Sequence, residues 1–330
     1  MKVLITGVCG FVGAALAEFL KSANEQLEIA GIDNLSRRGS EQNRPRLAKL
    51  GIDVRHGDLR NRSDLESLAA AEWVIDCAAE PSVLAGTDGS SSSRGVVEHN
   101  LVGTLNLLEY CRQHRAGLIL LSTSRVYSIE SLNAIPLQVE GDAFQLSSSA
   151  DPRPPGLTSA GISESFSTRP PVSLYGATKL TSETMAMEYA CAFDFPLLIN
   201  RCGVIAGAGQ LGRADQGIFS YWIHAYHAKR TLGYIGFGGQ GYQVRDCLHP
   251  NDLGTLIDRQ LRHRSATLQP VGQSQDKSSS SVPPTIVNVS GGLRSARSLR
   301  QLSSWCEKRY GEHAISSVEA RALRCTLDCP

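Results

Sequence analysis

The chain has 330 residues, 42% of them hydrophobic, and carries 33 basic against 32 acidic side chains for a net charge of +1; that length allows one large α/β domain, or a core with a smaller attachment, with ample material for a sizeable core. Balanced charge without a long block of one sign gives no electrostatic footprint for nucleic acid or an anionic membrane surface, and no apolar run approaches the length of a membrane span. Nine cysteines, odd in number and without a C-x-x-C pair, read as reduced thiols and not as a disulfide framework or a zinc site, and no metal is expected.

The first strand is predicted at Lys2 to Thr6, a short apolar run with β-branched members of the kind buried in a parallel sheet. It begins so close to Met1 that a signal peptide has no room, so the expected location is cytoplasmic. Gly7, Gly10 and Gly13 follow, before AALAEFL takes up a helical period. Gly7 permits the backbone bend, Gly10 lets a pyrophosphate come close and Gly13 lets the helix pack on the strand; the N–H groups of the first helical turn, at Phe11 and Val12, meet the anion. A dinucleotide site is predicted here.

LEIAGIDNLSR supplies a second strand that ends at Asp33, followed by Asn34 and Arg37. A carboxylate at that strand tip accepts hydrogen bonds from the adenosine ribose hydroxyls and repels a 2′-phosphate, which favours NAD over NADP; Arg37 and Arg38 pull the other way, and Asp33-Asn34 as a plain turn start is the alternative. The third strand ends in Gly57-Asp58-Leu59, where Asp58 can accept from an adenine amino group. The fourth ends at Ala78-Ala79, small enough for the backbone to lie close to a ligand. After the Ser-rich TDGSSSSRG, an amphipathic helix carries Asn100. The fifth strand, GLILLSTSRVYS, brings Ser122, Thr123, Ser124 and Arg125 to the end that faces the ligand crevice of an open parallel sheet.

From Pro136 to Pro171 the composition turns to Pro, Ser and Gly, an insertion read as a flap over the crevice or a plain surface loop. VSLYGATKLTSETMAMEYACAF then resumes as a helix holding Tyr175 and Lys179 four residues apart on one face. The ammonium can sit near the phenol and reach a ribose hydroxyl, and its charge favours the phenolate, which makes Tyr175 a candidate general base. Thr123 would hydrogen-bond the same substrate oxygen. After the strand FPLLINRCGVI, residues Ala206 to Asp246 run glycine-rich and aromatic, which suggests a smaller lobe assembled from loops. A second polar stretch, Gln269 to Pro284, precedes the strand TIVNVSGG and a final helix, and little of a last strand and helix is expected in the tail ending VEARALRCTLDCP.

These residues carry a resemblance. Through TGVCGFVG, IDNLSRRG, HGDLRNR, NLVGTLNLLEY, STSRVY, YGATK, ADQGIF and QVRDCLHPNDL, most of residues 1 to 265 resembles the extended short-chain dehydrogenase/reductases of the NAD-dependent nucleotide-sugar epimerase and dehydratase group, and within it the CDP-sugar 2-epimerases. The resemblance implies an α/β, Rossmann-type doubly wound parallel sheet with a smaller C-terminal substrate lobe. Residues 1–200 would form the NAD-binding domain, with insertion 136–171, and 201–330 mainly the substrate lobe, interleaved with the core and short at its C-terminus. It implies Tyr175 as catalytic base, Lys179 as its partner on the nicotinamide ribose and Thr123 as hydrogen-bond donor to the sugar. NAD would be held at Gly7, Gly10, Phe11, Val12, Gly13, Asp33, Asn34, Arg37, Asp58, Leu59, Ala78, Ala79, Asn100, Ser122, Tyr175 and Lys179. A nucleotide-diphosphate sugar would meet Thr123, Ser124, Arg125, Gln216 and Arg245, the last on the diphosphate, where a bidentate fork suits. A homodimer through the segments around Asn100 and Tyr175 is also implied.

The implied reaction is epimerisation by transient oxidation to a ketosugar and hydride return. Dehydratases of the group follow the threonine with an acid pair, and here Ser124-Arg125 stand there, so dehydration is disfavoured. A UDP- or dTDP-hexose 4-epimerase, a one-way NAD(P)-linked reductase and an idle NAD-binding sensor or scaffold are the alternatives. The chain departs from the group's pattern in Asp76-Cys77-Ala78-Ala79 where His-x-Ala-Ala is usual, in Val204 where an Asn is common, and in the 52 residues from Thr123 to Tyr175.

Overall fold

In the computed structural model of the protein, residues 1–87, 92–147, 153–213, 216–262 and 285–318 are described. The chain opens with β1 (Lys2–Thr6), α1 (Phe11–Ala23), β2 (Glu28–Asp33), α2 (Asn43–Lys49), β3 (Asp53–His56), α3 (Arg62–Glu66), β4 (Trp73–Asp76) and α4 (Ser93–Val97). A π turn at Glu98–Val102 leads into α5 (Gly103–His114) and β5 (Gly117–Thr123). Then come α6 (Ile129–Asn133), β6 (Leu137–Glu140), β7 (Ala143–Leu146), β8 (Leu157–Thr158), β9 (Gly161–Ile162), α7 (Leu174–Phe193), β10 (Leu197–Cys202), α8 (Ile218–His227), β11 (Leu232–Ile235) and β12 (Val244–Arg245). The described chain closes with α9 (Pro250–Arg262), β13 (Ile286–Val289), β14 (Arg297–Ser298), α10 (Leu299–Tyr310) and β15 (Ile315–Val318).

Seven strands form the main sheet in the order β13-β10-β5-β4-β1-β2-β3. β1 pairs in parallel with β2 on one side and β4 on the other, and β2 with β3 and β4 with β5 are parallel as well. The order therefore reverses at β1, and a crevice opens beyond the carboxyl ends of β1 and β4, where doubly wound sheets bind ligands. The unbroken apolar runs in β4 and β5 are buried at every position, as central parallel strands require. β3, at the edge, carries Asp53, Arg55 and His56 instead, which blunts an unpaired edge.

The chain separates into two compact units, a core unit of Met1–Thr123, Ala177–Arg201 and Pro250–Val287, and a second unit of Ser124–Gly176, Cys202–His249 and Asn288–Pro330. In the core unit Leu4, Ile32, Val74, Leu107, Leu118, Leu120, Leu197 and Ile199 share one apolar cluster; each such side chain stabilises by about 1.5–3 kcal/mol on burial. On the other face α1 and α9 touch so closely that a Cβ on Gly254 would lie 2.5 Å from the Phe19 ring. The second unit packs Phe219, Trp222, Tyr226, Leu299, Leu302 and Cys306 together. Trp222 stacks on Tyr234, and the polar edges of both rings reach the Ser303 hydroxyl at 2.9 and 2.7 Å.

Two expectations change. The insertion is not a plain loop, since its described residues fold into two antiparallel hairpins, β6–β7 and β8–β9. The lobe after Ala206 is not built from loops alone, because IFSYWIHAYH forms the ten-residue helix α8. Ahead of the tail, β15 pairs in parallel with β11, Leu232 to Ile235 against Ile315 to Val318. Cys9, Cys111, Cys191, Cys247 and Cys306 are free thiols, and burial, with Asp33 nearby, pushes the Cys9 thiol up to about 11. Among the described residues no helix is long and apolar enough to cross a membrane. The stretch Gln269–Pro284 and residues 319–330 lie outside the described residues.

Candidate active site

The glycine turn sits where the sheet order reverses. Gly7 has φ +59°, and a Cβ there would lie 3.0 Å from the Cα of Ala78, so the turns after β1 and β4 meet backbone to backbone. At Gly13 a Cβ would fall 2.2 Å from the Gly7 carbonyl oxygen, a space that only glycine leaves open. Gly10 caps α1 with no side-chain bond to the helix and no acidic residue in the first turn, so the N–H groups at Phe11, Val12 and Gly13 meet no competing carboxylate from that turn. The turn is fixed by the chain itself. Thr6 donates to the Asp76 carboxylate at 2.6 Å, and its hydroxyl oxygen accepts from the N–H groups of Cys77 and Ala78, each at 3.1 Å. Asp76, out of pattern in the sequence, thus secures the approach of Ala78 to Gly7.

Asp33 is buried at the tip of β2, its two oxygens accepting from the N–H groups of Cys9 at 2.9 Å and Leu35 at 2.8 Å. A carboxylate offers about four lone-pair positions, so it can take two ribose hydroxyls while it ties the glycine turn to β2. Asn43, not predicted, braces the same turn from outside by donating to the Cys9 carbonyl at 2.9 Å. Asn34 donates to Asp58 at 3.0 Å. Asp58 in turn holds Arg60 through three hydrogen bonds, and the bond from the Arg60 guanidinium keeps its carboxyl well below the usual carboxylate range. Arg37 is half-buried just beyond β2, and Leu59, half-buried too, packs against the core cluster. Asn100 lies in the π turn and accepts from the Glu80 N–H at 2.8 Å and donates to the Glu80 carbonyl and the Thr178 hydroxyl, both at 3.1 Å, which leaves its Oδ1 one further acceptor position. It clamps the segment that follows Ala78 and Ala79.

Tyr175, Lys179 and Glu183 recur every four residues along α7 and so share one face. All three are buried. Lys179 is 2% exposed, and its ammonium has three donors and no acceptor. Hydroxyl groups of a bound ribose would accept from it, so this residue fits a dinucleotide. One turn further, Glu183 receives the Arg201 guanidinium at 2.7 Å and the Ser122 hydroxyl, with side-chain exposures of 6% for Arg201 and 1% for Glu183. Ser122 precedes Thr123, the last residue of β5, which is buried as well.

In the second unit the chain turns at Ser124–Val126, and Arg125 passes so near α7 that a Cβ on Gly176 would sit 2.2 Å from its carbonyl oxygen. Gln216 is half-buried and pairs with Arg213 through backbone bonds, while the neighbouring Asp215 lies outside the described residues. Arg245 stands directly across the β12–β14 ladder from Arg297. Each folds one guanidinium nitrogen onto the carbonyl before it, at 2.7 and 2.6 Å. Like charges directly opposite are unfavourable, and a diphosphate between the two guanidinium groups would offset that repulsion. Arg297 was not anticipated, because its neighbour is 52 residues away in sequence. Asp246, fully buried, accepts from the Val204 and Gly291 N–H groups at 3.3 and 3.1 Å and joins those two segments.

The chain matches the NAD dependent epimerase/dehydratase family model over residues 3–271. It is 30% identical over 261 residues to CDP-paratose 2-epimerase of Salmonella typhi, covering 78% of this chain and 73% of that one. It is 27% identical over 324 residues to UDP-glucuronate 4-epimerase of Thermodesulfobacterium geofontis, covering 94% and 81%. Among solved structures its fold is similar to the UDP-glucose 4-epimerase of Thermus thermophilus in complex with NAD, with a TM-score of 0.70, 22% identity, and coverage of 99% of this chain and 89% of that one.

Proposed function

Because the chain belongs to the NAD-dependent epimerase/dehydratase family and is an enzyme of NAD-dependent nucleotide-sugar chemistry, we propose that it epimerises a nucleotide-diphosphate sugar, in the manner of a CDP-sugar 2-epimerase. The glycine turn, Asp33 and Lys179 would hold NAD, and the nicotinamide would supply reversible hydride transfer at a sugar carbon with no net change in the cofactor over a cycle. Tyr175 accepts the proton of the sugar hydroxyl as that carbon is oxidised and gives it back on return. Thr123 donates to the same oxygen. Lys179 holds the nicotinamide ribose and keeps a positive charge one turn from the phenol. Arg245 and Arg297 grip the diphosphate, and Ser124, Arg125 and Gln216 meet the sugar.

The observation that carries epimerisation over dehydration is the pair Ser124-Arg125 after Thr123, because neither is an acid that could drive proton elimination. The second reading is 4-epimerisation of a UDP-sugar, favoured by the 4-epimerase relative that covers 94% of the chain. Incubating the holoenzyme with CDP-, UDP- and dTDP-hexoses and following the sugar by NMR decides. Inversion at carbon 2 of a CDP-sugar without net NADH is the expected result, and inversion at carbon 4 of a UDP-sugar would replace it with the second reading. A 4-keto-6-deoxy product, or stoichiometric NADH, would overturn epimerisation itself. The reading includes a homodimer through α5 and α7, where Phe193 lies exposed under the Arg112 guanidinium; sedimentation should give twice the chain mass.

Asp33→Ala should weaken NAD binding about 10- to 100-fold, the worth of charge-assisted hydrogen bonds at about 1.5–3 kcal/mol, and relax the preference over NADP. Titration calorimetry with both cofactors checks this, and unchanged discrimination would count against the ribose contact.

A further inference from the structure

The ladder that carries Arg245 and Arg297 is two residues long, Val244 against Ser298 and Arg245 against Arg297. So short a ladder is weak in isolation, and a pair of guanidinium groups directly across it weakens it further. Within the second unit it is tied from one side by the β6–β7 hairpin of the insertion. The Phe144 N–H donates to the Tyr242 carbonyl at 2.9 Å, two residues before β12, and the Ser298 hydroxyl donates to the Asp142 carbonyl at 2.6 Å. The hairpin therefore holds both strands at once. Its turn also places the Asp142 carboxylate 2.9 Å from Arg300, whose guanidinium lies 5.5 Å from the Tyr242 ring centroid. Phe144 fills the space beside, with ring centroids 5.9 Å from Tyr242 and 5.8 Å from Phe237.

We propose that the β6–β7 hairpin is a brace that positions Arg245 and Arg297 for the diphosphate of the substrate, with Phe144 and Asp142 as its positioning residues. Neither residue need touch the substrate. Their work is preorganisation: the two forks are held together before the ligand arrives, so binding does not have to order them. The effect falls on affinity for the diphosphate and leaves the chemistry at Tyr175 alone. This inference rests on the reading of Arg245 as a diphosphate ligand.

The test uses the full-length holoenzyme and titrates CDP, UDP and the free nucleosides cytidine and uridine against wild type, Arg245→Ala, Phe144→Ala, the double variant Asp142→Ala/Phe144→Ala and Phe144→Tyr. Bound NAD, measured after release, reports that each variant is folded. The brace predicts that the double variant binds the nucleoside diphosphates about tenfold more weakly, with nucleoside binding and NAD content unchanged. It also predicts that Phe144→Tyr restores affinity, and that KM for the sugar nucleotide rises while kcat stays within about twofold. Diphosphate affinity equal to wild type, or equal losses for diphosphates and nucleosides, would overturn it. Should Arg245→Ala itself leave diphosphate affinity unchanged, the underlying ligand reading fails and the brace with it; should only the hairpin variants be silent, the reading stands and the brace alone falls. If the double variant loses NAD, Phe144→Ala alone carries the same comparison.

Discussion

Replacement of Tyr175 by Phe is expected to lower kcat roughly 100- to 10,000-fold, the usual worth of a positioned general base, with NAD still bound and KM for the sugar nucleotide little changed. The ring is kept, so packing in the first turn of α7 is kept with it, and the hydroxyl alone is lost. Lys179 keeps its place one turn on. A variant within tenfold of wild type would remove Tyr175 from the reaction. Stopped-flow absorbance of reduced cofactor during a single turnover tells the stages apart: a loss of the base suppresses the transient itself, whereas a defect in hydride return would let it accumulate.

Replacement of Glu183 by Ala should destabilise the core unit by about 3–5 kcal/mol, because the Arg201 guanidinium would be left buried without its anion. Urea unfolding followed by circular dichroism measures the loss. The double change Glu183→Leu/Arg201→Met should recover most of it, since an apolar pair of similar volume is neutral or better than a buried ion pair. If the single change is as mild as the double, the pair is not the structural centre that its burial suggests. The double variant also shows what the pair does for catalysis. Ser122 would lose its acceptor, and a fall in kcat with stability restored would mean that the Glu183–Ser122 bond sets the position of Thr123 at the end of β5.

What was legible in the sequence was local. The glycine turn, the carboxylate at Asp33 and the Tyr175–Lys179 spacing each depend on a few neighbouring residues whose geometry is set by strand and helix periods, so their chemistry can be read in one dimension. The parallel sheet follows from alternating apolar runs and helices for the same reason. Long-range partners left no such trace. Thr6 and Asp76 meet across 70 positions, and Asn100 reaches Glu80 and Thr178 across 20 and 78 positions. Arg297 gains its meaning only from the ladder that sets it opposite Arg245. The insertion misled because Pro, Ser and Gly hid the short alternation in LQVE and AFQL. Glu183 carried a signal that the helical period already held: it falls one turn beyond Lys179 on the face shared with Tyr175.

The central claim is that one carbon is oxidised and reduced in place. It is tested most directly with a sugar nucleotide that turns over, labelled with deuterium at the inverted carbon and run in ordinary water. In-place hydride transfer predicts that the product keeps the deuterium at that same carbon with inverted configuration and no net reduced cofactor. Loss of the label to solvent would mean inversion by proton abstraction and would contradict the account.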